Sequence, residues 1–119
     1  MEKEVIIGKK APAAIGPYSP ALKVGNLIFE SGQLAIDPKT GEMIEGNIEA
    51  KTRMVLENLK AVLEPYSIGI EKVVKTTIFL KDMNNFVWVG LIKFTANILR
   101  KNFRHAAVWK YPVFPRMQR

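Results

Sequence analysis

The alternation of apolar and polar positions predicts a compact set of elements over the first two thirds of the chain. Glu4-Val5-Ile6-Ile7 has the short β-branched apolar run of a strand. Ala21-Leu22-Lys23-Val24 and Leu27-Ile28-Phe29-Glu30-Ser31 flank Gly25-Asn26, and that pair supplies the positive φ of a tight hairpin turn. Asp37-Pro38-Lys39-Thr40-Gly41 is a turn, with φ preset by Pro38. From 48 to 64 the period changes to that of a helix. Val55, Leu56, Leu59, Val62 and Leu63 fall on one face, and Lys51, Glu57, Lys60 and Glu64 on the other. Asn47 is a suitable N-cap, Glu49 suits the positive end of the helix dipole, and Pro65 stops the run.

Val73 to Leu80 predicts another strand, with Val74, Thr76, Ile78 and Leu80 on one face. Beyond Asn84 the pattern weakens. Trp88, Leu91, Ile92, Thr95, Ile98 and Leu99 are compatible with a helical stripe, and Ala106 to Phe114 with a strand that Pro112 confines to an edge. The order of these elements predicts an α+β layer, a sheet with helix packed upon it.

Composition adds bounds. A chain of 119 residues with 48% hydrophobic content is expected to form one globular domain, spanning 1–119. Its apolar runs are too short for a membrane span. Met1-Glu2-Lys3-Glu4 lacks a secretory pattern, and with no cysteine present the plain expectation is a cytoplasmic protein without disulfides or thiolate metal sites. The net charge of +7 is unevenly placed. Every acid lies at or before Asp82, whereas Lys93, Arg100, Lys101, Arg104, Lys110, Arg116 and Arg119 have no acidic neighbours after it. A basic tail of this kind suits nucleic acid or anionic lipid, or has no role at all.

Few residues stand out as chemistry. Gly16-Pro17-Tyr18-Ser19 is in the first instance a tight turn with a packed aromatic; its functional reading places the Tyr18 hydroxyl at a pocket as a donor to a polar substrate or water. Ser31-Gly32 is equally a strand end or a place where a ligand approaches the backbone closely. Lys75 reads as a solvated charge. His105, the single histidine, has no second ligand near it, so no metal is expected, and no phosphate-cradling glycine loop occurs.

Ala11-Pro12-Ala13-Ala14-Ile15-Gly16-Pro17-Tyr18-Ser19 and Glu30-Ser31-Gly32-Gln33 together resemble the RidA/YjgF family of enamine/imine deaminases, also called endoribonuclease L-PSP-like proteins. Asp37-Pro38, Thr40-Gly41-Glu42 and the stretch Val73 to Asn84 continue the resemblance, which is close from Lys9 to Phe86. It implies a mixed sheet packed on two helices (chorismate-mutase-like), a homotrimer with pockets at subunit interfaces, and no cofactor. It also implies hydrolysis of 2-imino or enamine acids, such as 2-iminobutanoate and 2-iminopropanoate, to 2-keto acids and ammonia. Tyr18 and the backbone near Ser31 and Gly32 would orient the imine. The family's carboxylate-clamping arginine sits in an Ala-Arg-Ser-like motif and its water-positioning glutamate in a late strand. A guanidinium fork suits a carboxylate because charge-assisted bonds contribute roughly 1.5–3 kcal/mol each.

Residues 87–119 depart from that pattern as a divergent basic tail. Arg104 lies near the linear position of the clamp, but between Phe103 and His105 rather than in the motif. One hypothesis is a frameshift near residues 87–90. Back-translated and read from the third base of each codon, Trp109-Lys110 forces Glu and Met117-Gln118 forces Ala, and the run from Phe103-Arg104 permits Pro-Ala-Arg-Ser-Cys-Val-Glu-Val. Coding DNA incompatible with that second reading would exclude it. On this account the late strands are lost from the sheet and apolar surface is left bare. Two alternatives to catalysis stand beside the deaminase: a non-catalytic small-carboxylate binding protein of the same fold, and an RNA-binding, endoribonuclease-type translation inhibitor. The charge balance of the family-like part argues against nucleic acid.

Overall fold

In a computed structural model, the structure describes residues 2–14 and 16–85, together with the backbone of 106–110. It has two compact units, Met1–Ile70 and Glu71–Arg119.

The first unit is built on an antiparallel sheet of three strands, β1 (Lys3–Ile6), β2 (Ala21–Val24) and β3 (Leu27–Glu30), in the order β1-β2-β3. The hairpin forms as the hydrophobic pattern predicts, with Gly25 at φ 61° in its turn. Register fixes which side chains share a face. Ile6, Ala21 and Glu30 form one cross-strand row, and Glu4, Lys23 and Ile28 the next. The opposite face carries Val5, Leu22 and Phe29, then Lys3, Val24 and Leu27.

Helix α1 (Ile48–Leu63) covers the first of these faces. Its N-cap is Asn47, whose Oδ1 accepts from the Ala50 amide at 2.9 Å. A 3₁₀ turn, Glu64–Tyr66, follows where Pro65 cannot continue the α ladder. Ile6, Ala21 and Val62 form the fully buried centre, with Ala11, Ile28 and Tyr66 packed against it. Helix and strand come unusually close just after β1: a Cβ on Gly8 would lie 2.5 Å from the Ala61 carbonyl oxygen. Only a residue without a side chain fits there.

The helix buries Leu56, Val62 and Leu63 as its periodicity implies, but also Asn58. At the margin of this core, the Tyr66 hydroxyl donates to the Glu4 carboxylate, and Lys23 Nζ stands 5.2 Å from the Tyr66 ring centroid. That arrangement is compatible with a cation–π contact beside the Glu4–Lys23 cross-strand pair.

In the second unit, β4 (Thr76–Leu80) pairs in parallel with β5 (Ala106–Lys110), from Thr76↔Ala106 to Leu80↔Lys110. Two expectations are corrected here. Val74 is 74% exposed and precedes β4 rather than sharing its inward face. One late strand does form, where the frameshift account predicts its loss; it ends at Lys110, before Pro112 can interrupt the ladder. Thr76, Ile78 and Leu80 do share the more buried side of β4, and Lys75 is exposed as expected. The predicted helical stripe from Trp88 to Leu99 lies outside the described residues, and so does the second of the two helices expected on the sheet. What stands is a small mixed α+β fold with a sheet and a helix. Among the described residues no helix is long and apolar enough to cross a membrane.

Candidate functional site

Gly16 to Ser19 and the end of β3 are sewn together by two hydrogen bonds. Ser31 Oγ donates to the Ser19 carbonyl at 2.6 Å, and the Ser31 amide donates to the Pro20 carbonyl at 2.9 Å. Tyr18 stands next to this junction, half exposed, in a turn closed by its own amide on the Gly16 carbonyl at 2.8 Å. Gln33 Nε2 donates back to the Ser31 carbonyl at 3.3 Å. Two segments that the sequence singled out separately are therefore neighbours, and the side chain of Ser31 is committed to holding them rather than free to act as a nucleophile. Gly32 is exposed, and a Cβ built there would meet nothing within 4 Å. Its lack of a side chain is not required by this unit's own packing, so open space remains beside its backbone.

The stretch after Ser31 runs without a strand partner until the isolated antiparallel bridge between Ile36 and Met43. The Ile44 amide donates to the Ala35 carbonyl at 2.8 Å, and the Asp37 amide to the Glu42 carbonyl at 2.9 Å. The predicted turn closes this small loop: the Gly41 amide reaches the Asp37 carbonyl at 2.8 Å, the Lys39 amide reaches Asp37 Oδ1 at 2.8 Å, and Gly41 takes φ 75°.

Two polar groups were not visible as site candidates in the pattern. Asn58 is 2% exposed and donates from Nδ2 to both the Leu34 and Ile36 carbonyls, at 3.0 and 2.8 Å. Glu30 ends β3 on the helix-covered face, half-buried, with Oε1 sealed from solvent and without a hydrogen-bond partner among the described residues. Burial pushes its carboxyl up to about 8, so it is mostly neutral at pH 7. A strand-end glutamate in an otherwise apolar β run was the available signal for Glu30. A polar residue one position from the apolar stripe was the signal for Asn58.

Arg104 and His105 lie outside the described residues. No group of three or more potential metal ligands occurs among those described. A cleft of about 940 Å³ opens on α1 between the Asp37–Lys39 turn and Ser67–Gly69, with Met54, Ala61 and Ile68 in its wall. None of Tyr18, Ser31 or Gly32 lines it, and its charges are largely matched internally: Lys10 bonds Glu64 at 2.7 Å and Lys60 faces Glu57 at 3.3 Å. The paired geometry around Ser31 is the better candidate site.

The profile of the family described as Endoribonuclease L-PSP matches residues 8–108, past the point at which the motif resemblance ends. A RutC family protein of Pyrococcus abyssi is 55% identical over 86 residues, covering 72% of this chain and 68% of the relative. The 2-iminobutanoate/2-iminopropanoate deaminase of Escherichia coli is 43% identical over 87 residues, covering 73% of this chain and 67% of that protein. A solved structure from Thermotoga maritima superposes with a TM-score of 0.87 at 40% identity, covering 98% of this chain and 89% of its own.

Proposed function

The chain belongs to the Endoribonuclease L-PSP family, which includes the RutC and RidA/YjgF proteins, and we propose that it hydrolyses reactive 2-imino and enamine acids to 2-keto acids and ammonia without a cofactor. The observation that carries this reading is the 43% identity with a protein named for that reaction on 2-iminobutanoate and 2-iminopropanoate. The junction of Ser19, Pro20 and Ser31 beside Tyr18 and open Gly32 supports it from the geometry.

In this reaction the oxygen of water adds to the imine carbon, a proton moves to nitrogen, and ammonia leaves as the C=O forms; nothing is oxidised or reduced. Tyr18 would orient the imine or the water through its hydroxyl, and the backbone at Ser31 and Gly32 would face the substrate. Positioning of this kind can supply much of a rate. Arg104 is assigned the carboxylate clamp by its charge and its place in the chain. We read the chain as a single RidA-like domain acting in the cytoplasm, assembled as a homotrimer with sites between subunits. The uncovered sheet face supports that assembly, because Val5, Leu27 and Phe29 leave apolar surface for another copy to bury.

The test is release of ammonia and 2-oxobutanoate from freshly generated 2-iminobutanoate by the whole chain, beside Tyr18→Phe and Arg104→Ala, with assembly followed by sedimentation. Turnover that falls at least about tenfold in both variants supports the assigned roles. Binding of 2-oxobutanoate without turnover would make the protein a small-carboxylate binder instead. RNA binding that weakens steeply with salt would move it to the nucleic-acid class. A folded trimer that shows neither turnover nor keto-acid binding would overturn the proposal.

A further inference from the structure

Segment 31–37 carries two of the assigned site residues, yet it lies outside the strand ladder of β1–β3. Where it is buried, at Ala35 and Ile36, backbone off the ladder must find its hydrogen bonds elsewhere. Its carbonyls at Leu34 and Ile36 point to the same group, the Asn58 amide on α1, which spends both of its N–H donors on them. Because both partners are acceptors, the amide nitrogen has to face them, which fixes the side chain's orientation from the network itself. Asn58 is nearly sealed from solvent, within a helix surface otherwise buried by Leu56, Val62 and Leu63. A leucine at 58 would complete that apolar surface. The polar residue is costly to bury and is offset only by the two bonds it makes.

We infer that Asn58 is the positioning residue of the candidate site: it clamps segment 31–37 to α1 so that Ser31 and Gly32 are presented in one fixed geometry. The clamp works from the C-terminal side, while the Ser31 bonds to Ser19 and Pro20 hold the same stretch from the N-terminal side. Neither end touches the other's partners, so exposed Gly32 and half-buried Gln33 lie between two anchors. Asn58 touches no substrate in this scheme; it acts through Leu34 and Ile36. The functional half of the inference rests on the proposed deaminase reading, whereas the mechanical half does not.

Native-state amide hydrogen exchange on the whole chain separates the two. In Asn58→Leu, the Asp37 and Ile44 amides, which close the clamped loop, are expected to exchange about tenfold faster or more, the equivalent of losing one net hydrogen bond of about 1.4 kcal/mol. The amides inside α1 should hold their protection within about twofold. Equal loss in loop and helix would make Asn58 a global stabiliser and overturn the positioning role, and unchanged exchange would overturn it too. Should Asn58→Leu fail to fold, Asn58→Asp keeps the test: its protonated form retains one donor, so loop protection should be partly regained as pH falls through the aspartate titration while the charged form loses it. No recovery at low pH in a folded variant would count against the clamp. On the functional side, 2-oxobutanoate affinity should weaken in step with loop exchange. A wild-type chain that binds no keto acid fails the deaminase reading but leaves the exchange result to decide the clamp. Keto-acid affinity unchanged by an opened loop would confine Asn58 to the fold.

Discussion

The two faces of the β1–β2–β3 sheet meet different fates, and the one the helix covers is the less apolar, since it also carries Glu4, Lys23 and Glu30. One face offers Ile6, Ala21 and Ile28, and α1 closes over it with Val62 at the centre. The other offers Val5, Leu22, Val24, Leu27 and Phe29, and among these Phe29 is 61% exposed. Apolar content alone therefore does not say which face a chain will cover for itself. The covered face is marked by its smallest members: Ala21 in the middle strand and Gly8 just past β1 let helix and sheet backbones approach. The other face, exposed at Val5, Leu27 and Phe29, is bulky throughout.

The largest effect expected from this contrast is at Ile6. Ile6→Ala should cost about 2–5 kcal/mol by opening a cavity against Val62 and Ala21. Phe29→Ala, removing a larger side chain, should change the stability of a dilute monomer by less than about 1 kcal/mol while weakening assembly. Urea unfolding and sedimentation across a concentration series read both. Equal losses in the monomer would break the contrast between faces.

Two glycines sharpen it. Gly8→Ala would drive a Cβ to 2.5 Å from the Ala61 carbonyl oxygen and 2.8 Å from Val62 Cα, both backbone atoms with no flexible end to yield. Overpacking of this kind costs about 1–3 kcal/mol. Gly32→Ala meets no atom within 4 Å, so its stability should stay within about 0.5 kcal/mol of the parent. If ligand does approach the Gly32 backbone, imine turnover should nevertheless fall. Thermal unfolding together with ammonia release distinguishes the two glycines: one kept for the fold, the other for what comes near it.

What the sequence discloses follows the strength of its periodic signal. The hairpin is legible because Gly25-Asn26 is needed at one place only, and α1 because Asn47, the apolar stripe and Pro65 mark start, face and end. Val74 misled because alternation continues past the point where pairing begins; β4 starts at Thr76. The site was half legible. The Gly16–Ser19 and Ser31–Gly32 motifs are local, so they can be read from order alone, but the bonds joining them are tertiary. Asn58 was invisible for the same reason: its partners are more than twenty residues away, and in the helical pattern it looks like an ordinary polar neighbour of Leu59. Pairing of Ala106–Lys110 with β4 was obscured by Pro112, which lies just beyond the strand.

A probe of the covered face through its one sealed carboxyl is Glu30→Gln. Glu30 shares its row with Ile6 and Ala21, and its sealed Oε1 makes ionisation unfavourable in the folded state, raising its pKa to about 8 from an ordinary 4.5. Between those values the folded chain holds a proton that the unfolded chain has released. Stability must then fall as pH rises from about 4.5 to 8, being fully present below that window and lost above it. Glutamine imitates the protonated acid in size and in lacking charge. The variant should match the parent near pH 5, lack this part of the parent's decline, and be the more stable of the two at pH 9. Urea midpoints at pH 5, 7 and 9 would show it. Parallel curves for both chains would mean that Glu30 ionises freely, and that the helix-covered face admits water at its edge much as the open face does.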